Sequence, residues 1–151
     1  MRILITGATG FIGKAVSCEA HNSEHEVIVA VREYTQVFSK QIEQFKITDL
    51  SQEIDWKNAL QGVNVLIHTA ARVHVMNDNT IDPLAEFRKV NTFATLYLAR
   101  QAAEAGVKRF VFLSSIKVNG EVTRLGHPFM PDDDYIPTDP YGLSKYEAEQ
   151  G

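Results

Sequence analysis

The chain has 151 residues, 44% apolar and 23% charged, a composition that fits one globular domain with a single core. A formal charge of −4, from 15 basic against 19 acidic residues with no Lys/Arg cluster, argues against a nucleic-acid or anionic-membrane surface as the main partner. Cys18 is the only cysteine, which excludes an intrachain disulfide framework. No apolar run reaches the roughly 20 residues that span a bilayer, so a soluble, cytoplasmic protein is expected.

Residues 3–5 form a branched-apolar run that reads as a buried strand. Gly7, Gly10 and Gly13 follow at three-residue spacing and lead into a helical pattern over Phe11 to Ala20. Glycine suits such a turn because, lacking Cβ, it accepts unusual backbone angles and lets a diphosphate approach the main chain at a helix N-terminus. A plain strand-to-helix link would use the same residues, but the place directly after a buried strand favours a dinucleotide turn. Val27 to Val31 are a second buried strand, completing a βαβ unit. Arg32 follows it at the carboxyl end, either as a solvated arginine or as a ligand group, since open α/β sheets bind there.

Residues 33–45 read as a loop with a short helix, and Phe45 to Leu50 as a brief strand holding Asp49. Ser51 is a weak cap for a short helix running to about Gly62. Val63 to Ile67 are the next strand, followed by His68 and the small residues Thr69, Ala70 and Ala71, which suit either close passage of a ligand or tight packing. Residues 73–80 read as a polar loop. Asp82-Pro83 opens the longest helix, apolar at Leu84, Phe87, Val90, Leu96, Leu98 and Ala102 and stopped at Gly106; Asn91 is its notable polar residue. Val107 to Leu113 are the fifth strand, ending in Ser114 and Ser115. A long loop over 119–139 precedes a last helix opened by Asp139-Pro140, with Tyr141 and Lys145 four apart on one face. Alternation of strand and helix predicts a doubly wound, Rossmann-type parallel α/β sheet with helices on both faces.

Ser115, Tyr141 and Lys145 are the candidate catalytic set. A tyrosine is a poor base at neutral pH unless a cation favours its phenolate, and an ammonium one helical turn away supplies one. Such a phenolate could take a proton from a sugar hydroxyl while the carbon passes hydride to a nicotinamide, with the serine hydroxyl orienting the same oxygen. The same Tyr and Lys could also be an ordinary helical pair. His21, His25, His68, His74 and His127 show no metal-ligand spacing, so no metal site is expected, and Asp132 to Asp134 read as a solvated run.

Together, Thr6-Gly7-Ala-Thr-Gly10-Phe-Ile-Gly13, Asp49, His68-Thr-Ala-Ala71, Asn91, Ser114-Ser115 and Tyr141-Gly-Leu-Ser-Lys145 resemble the extended short-chain dehydrogenase/reductase superfamily. Within it the chain is similar to the nucleotide-sugar epimerase/dehydratase family. The resemblance implies Gly7, Gly10, Phe11, Ile12 and Gly13 around the pyrophosphate, and Asp49 with Leu50 near the adenine. Ala70 and Ala71 would line the adenosine side, and Asn91 would serve the cofactor region as a structural or proton-relay residue. It also implies Ser115 orienting the substrate, Tyr141 as acid/base, and Lys145 binding the nicotinamide ribose and tuning Tyr141. A UDP-sugar is the implied substrate, and a homodimer through the long and last helices the implied assembly.

Three departures shape that implication. Dehydratase-type relatives carry an Asp-Glu pair after the active serine or threonine, whereas Ile116 and Lys117 stand here, which disfavours a dehydratase. Many NAD-using relatives end the second strand in an acidic residue, whereas Val31 is followed by Arg32, which would attract a 2′-phosphate and leans the choice between NAD(H) and NADP(H) toward NADP(H). Relatives are about twice as long, so residues 1–151 are expected to be a truncated cofactor-binding domain, lacking the C-terminal substrate part and inactive alone. The expected function is a nucleotide-sugar epimerase or a 4-keto-sugar reductase working at C4. The alternative is a catalytically silent NADP(H)-sensing regulator on the same fold.

Overall fold

The apolar runs form five parallel strands in a computed structural model that describes residues 1–73 and 80–151. They are β1 (Arg2–Thr6), β2 (Glu26–Val31), β3 (Glu43–Lys46), β4 (Val65–His68) and β5 (Arg109–Phe112), in the order β3-β2-β1-β4-β5. Ile3 pairs with Val27, Ile5 with Ile67, and Ile67 with Val111, so every second residue shares a face across the sheet. The chain leaves β1 toward β3, then returns to the other side of β1 at β4. That reversal opens a crevice at the carboxyl ends of the central strands.

Continuous apolar sequence in the central strands reflects cover on both faces. Ile3, Ile5, Val27 and Val29 pack with α1 (Phe11–Asn22) and with Phe38 and Ile42. Leu4, Ile28 and Leu66 face Trp56, Leu60, Leu98 and Ala102 on the opposite side.

Two expected helices are absent. Residues 33–42 form irregular chain anchored by Phe38 and Ile42, with the Gln44 side chain bonded to both Thr35 N–H and Thr35 C=O. Residues 51–62 form turns: the Asp49 carboxylate accepts from Ser51 N–H and the Asp55 carboxylate from Lys57 N–H, local bonds that compete with a helix. Gln101 then holds this stretch, accepting from Trp56 N–H and donating to the Ile54 carbonyl, each at 2.9 Å. Strand β3 also begins ahead of the expected span, so Asp49 lies beyond it.

The long helix is present as α2 (Pro83–Phe87), a π-helical segment (Arg88–Phe93) and α3 (Ala94–Glu104). Its widened turn carries buried Asn91 and Thr92 toward α4 (Pro140–Gln150). Asp82 and Asp139 cap α2 and α4, each with proline in the first turn. The expected polar loop at 73–80 falls largely outside the described residues, as does His74.

Candidate active site

The glycine turn is a close contact between β1, α1 and the end of β4. Gly7 has φ +69°, and a Cβ there would stand 2.5 Å from Ala70 N. A Cβ on Gly13 would stand 2.2 Å from the Gly7 carbonyl oxygen. Both positions are therefore closed to a side chain by the fold itself. Gly10 differs: its φ is −75° and an added Cβ would meet only the Gly7 oxygen, at 3.2 Å. Gly10 lines a cleft of about 400 Å³ and starts α1 without a side-chain cap, leaving the first-turn N–H groups as the usual orphans of a helix N-terminus.

Of the expected cofactor residues, Gly7, Gly10, Arg32, Asp49, Leu50, Ala70 and Ala71 line this cleft. Asp49 is held below its usual carboxylate range by hydrogen bonds from Ser51, with the Arg32 charge a lesser cause. Arg32 lies 3.9 Å from the Asp49 carboxylate and remains 75% exposed. Phe11 and Ile12 stand at the start of α1 with exposed side chains, so only their backbone serves the turn, and Gly13 packs beneath it. Thr69, one of the small residues expected to suit ligand passage or tight packing, also lines the cleft, as do Ser51 and Arg72, which the sequence did not mark as ligand residues. Thr69 fastens the turn by donating to the Thr6 carbonyl at 2.7 Å, a contact between positions 63 apart that no local pattern announces.

Asn91 lies outside the cleft lining and works through the backbone. Its side-chain oxygen accepts from Arg72 N–H at 2.8 Å, and its amide nitrogen donates to the Arg72 carbonyl and to Ser144 Oγ, each at 3.0 Å. Ser144 in turn donates to the Tyr141 carbonyl at 2.7 Å, and Thr92 donates to the Ser144 carbonyl at 2.8 Å. One amide thus fixes both the chain leaving β4 and the helix that carries Tyr141. Arg88 and Glu147 add a two-bond ion pair between the same elements, at 2.8 and 2.5 Å.

Ser115 caps a 3₁₀ turn (Ile116–Val118) that packs against α4; its Oγ accepts from Lys117 N–H at 3.2 Å. The Lys117 ammonium holds the Glu121 carboxylate at 2.8 Å and lies 3.9 Å from Asp139, which caps the Tyr141 helix. Tyr141 is half-buried, with Phe87 edge-on at 6.0 Å. Lys145 is 1% exposed, and its ammonium lies 3.9 Å from the centre of the Phe112 ring. Burial pushes its pKa down to about 8, with the charge of Glu149 opposing. No group of three or more His, Cys, Asp or Glu side chains among the described residues could hold a metal ion, and no described helix is long and apolar enough to cross a membrane.

A parallel sheet reversing beside β1, a bare glycine turn and an open helix N-terminus at that reversal define a Rossmann-type α/β domain of the short-chain dehydrogenase/reductase type. The chain belongs to the NAD dependent epimerase/dehydratase family, whose sequence pattern matches residues 3–151. It is 45% identical over 149 residues to a UDP-glucose 4-epimerase of Vibrio cholerae, covering 98% of this chain and 45% of that protein. A short-chain dehydrogenase/reductase protein from Agrobacterium tumefaciens with bound NAD superposes with a TM-score of 0.83 at 27% identity, over 99% of this chain and 43% of the other. MoeE5 in complex with UDP-glucose and NAD superposes at 0.77 and 28% identity, over 99% and 47%. The chain thus spans less than half the length of these relatives.

Proposed function

We propose that this chain is the cofactor-binding part of an NAD(P)-dependent nucleotide-sugar epimerase or 4-keto-sugar reductase acting on a UDP-sugar at C4. The observation that carries the reading is Lys145. Its ammonium is buried, and among the described residues it has no hydrogen-bond or carboxylate partner within ion-pair distance; its close neighbour is an aromatic face. Burying a lone charge costs stability, so such a group is expected where chemistry uses it.

The residues present fit a dinucleotide. Gly10 leaves the backbone bare at the helix N-terminus, and Asp49 and Arg32 line the same cleft, where they would face the adenosine part. Bound there, the nicotinamide supplies a hydride acceptor or donor for the sugar carbon. Tyr141 is the acid/base that takes the proton from the sugar hydroxyl, and Lys145, one helical turn away, binds the nicotinamide ribose. Ser115 receives Lys117 N–H on its oxygen, so its own proton is free to orient the substrate oxygen. Ile116 is largely exposed and Lys117 is engaged by Glu121, so neither supplies the acid that a dehydratase needs.

Arg32 is the residue on which a preference for NADP(H) rests, supported by its place on the cleft rim and its exposure. Loss of an NADPH preference in Arg32→Ala supports that role; equal binding of the two cofactors by the wild type discards it. Phe93 and Tyr97 remain exposed on the long helix, which suits a homodimer through that face. Turnover is expected only when the chain is completed to the length of its relatives; conversion of a UDP-sugar by residues 1–151 alone would overturn that point.

In the full-length enzyme, Tyr141→Phe should abolish conversion of a UDP-sugar while cofactor binding persists; unchanged turnover sinks the assignment. Net consumption of NADPH with a 4-keto sugar marks the reductase, and product without net consumption marks the epimerase.

A further inference from the structure

His68 is fully buried at the carboxyl end of β4, and both its ring nitrogens are engaged. Nδ1 lies 2.6 Å from Thr6 Oγ1 and Nε2 lies 3.0 Å from Thr95 Oγ1. Thr95 has one hydroxyl proton, and it goes to the Asn91 carbonyl at 2.7 Å, which can only accept. Thr95 must therefore accept from His68, so the proton of the neutral ring is on Nε2. Nδ1 is then the acceptor, and Thr6 donates to it. The directions of all three bonds follow from one backbone carbonyl.

These bonds join parts of the site distant in sequence. Thr6 precedes the glycine turn, Thr95 follows the π-helical segment, and Asn91 passes the constraint to Arg72 and to Ser144, the neighbour of Lys145. Phe112 stacks on His68 at 5.9 Å and 19° and also carries the Lys145 ammonium. Around the imidazole stand Thr6 from β1, Thr95 from α3, Phe110 and Phe112 from β5, and the Lys145 charge from α4. A proton on Nδ1 would turn the Thr6 bond around and set a second cation beside the ring that faces Lys145.

We propose that His68 is a positioning residue of the Tyr141–Lys145 site, a neutral imidazole locked with its proton on Nε2 that ties the glycine turn to the Asn91 segment and leaves Lys145, among the described residues, the sole cation beside Phe112. The proposal rests on the acid/base reading of Tyr141 and Lys145. Burial, reinforced by Lys145, holds the His68 pKa down at about 3, in keeping with a ring that stays neutral.

The first arm of the test is nitrogen-15 NMR of the imidazole in the wild-type chain. A protonated Nε2, a bare Nδ1 and no titration between about pH 8 and 5 are expected. A proton on Nδ1, or titration near the ordinary histidine value, overturns the proposal. The second arm compares variants in the full-length enzyme. His68→Leu is expected to lower kcat about tenfold or more while the Kd for NADH stays within about threefold. His68→Gln, which can still offer an N–H to Thr95, is expected to recover kcat in large part. A kcat unchanged in His68→Leu, or an equal loss of cofactor affinity, contradicts a positioning role. If His68→Leu does not fold, the NMR arm and His68→Gln decide. Failure of every nucleotide sugar to turn over would refute the functional reading, while the NMR arm still judges the tautomer.

Discussion

The Lys145 ammonium sits 3.9 Å from the centre of the Phe112 ring, a contact between α4 and β5 that gives a buried cation a partner with no charge of its own. A cation–π contact is worth about 0.5–2 kcal/mol, less than the cost of desolvating an ammonium. The site therefore carries an unpaid electrostatic cost. Lys145→Met keeps the length of the side chain and removes the charge. It should stabilise the chain at pH 7 by roughly 1–3 kcal/mol, read from chemical denaturation. The pH dependence has a definite sign. The folded pKa is lowered to about 8 against 10.5 for the unfolded chain, so between those values the unfolded state binds more protons and the Lys145 contribution to stability improves as pH rises. Lys145→Met should lose that alkaline gain; a variant no more stable than wild type at pH 7 would contradict the account.

At the acid end the comparison is wild type against His68→Gln. His68 has a folded pKa of about 3 against 6.5 unfolded, so its contribution is present above 6.5 and drains away as pH falls toward 3. Carboxylates titrate in the same range, so the difference between the two chains is the quantity to follow. That difference should move in favour of the glutamine variant as pH is lowered from 7 to 4; a constant difference would show that His68 titrates alike in both states.

The glycines should separate into two kinds. Gly13→Ala places a Cβ 2.2 Å from a backbone oxygen and 2.7 Å from Thr69 Oγ1, and Gly7→Ala adds a left-handed φ to a 2.5 Å contact. Each should destabilise the fold by about 3 kcal/mol or more. Gly10→Ala, with ordinary φ and one neighbour at 3.2 Å, should cost about 1 kcal/mol or less. Thermal melts of the three variants check the ranking, and a Gly10→Ala chain as unstable as Gly13→Ala would show that the turn has no ligand-facing side.

Asn91→Ala removes the partner of both backbone groups of Arg72 and of Ser144 Oγ. The Arg72 groups are half-buried and Ser144 Oγ keeps its bond to the Tyr141 carbonyl, so a loss of roughly 1–3 kcal/mol is expected in denaturant unfolding. A loss under about 0.5 kcal/mol would mean that water replaces the amide and that Asn91 is not the clamp.

Much of this arrangement was legible in sequence because local physics decides it. The β-branched runs, the glycine spacing and the two Asp-Pro helix starts each record a backbone requirement met within a few residues. The π-helical turn was not legible, since one widened turn leaves the apolar spacing of Phe87, Val90 and Leu98 almost unchanged. The absent helix over 51–62 depends on Asp49 and Asp55 taking backbone protons locally and on Gln101 arriving from α3, 47 positions beyond Ile54. His68 was likewise unreadable as more than a small-residue neighbour. Its partners Thr6 and Thr95 lie 62 and 27 positions away, and only the parallel pairing of β1 with β4 and the packing of α3 bring them together. Local propensity writes the elements, while long-range bonds choose among compatible local conformations.

Titration of NADH into the wild-type chain and into Gly10→Ala, followed by nicotinamide fluorescence, tests the central claim that the cleft over the glycine turn is a dinucleotide site. The account predicts saturable binding by the wild type, weakened about tenfold or more in Gly10→Ala, whose melting temperature stays close to that of the wild type. Equal NADH affinity in the two folded chains would contradict it, since the one glycine that the fold itself does not require would then have no ligand to admit.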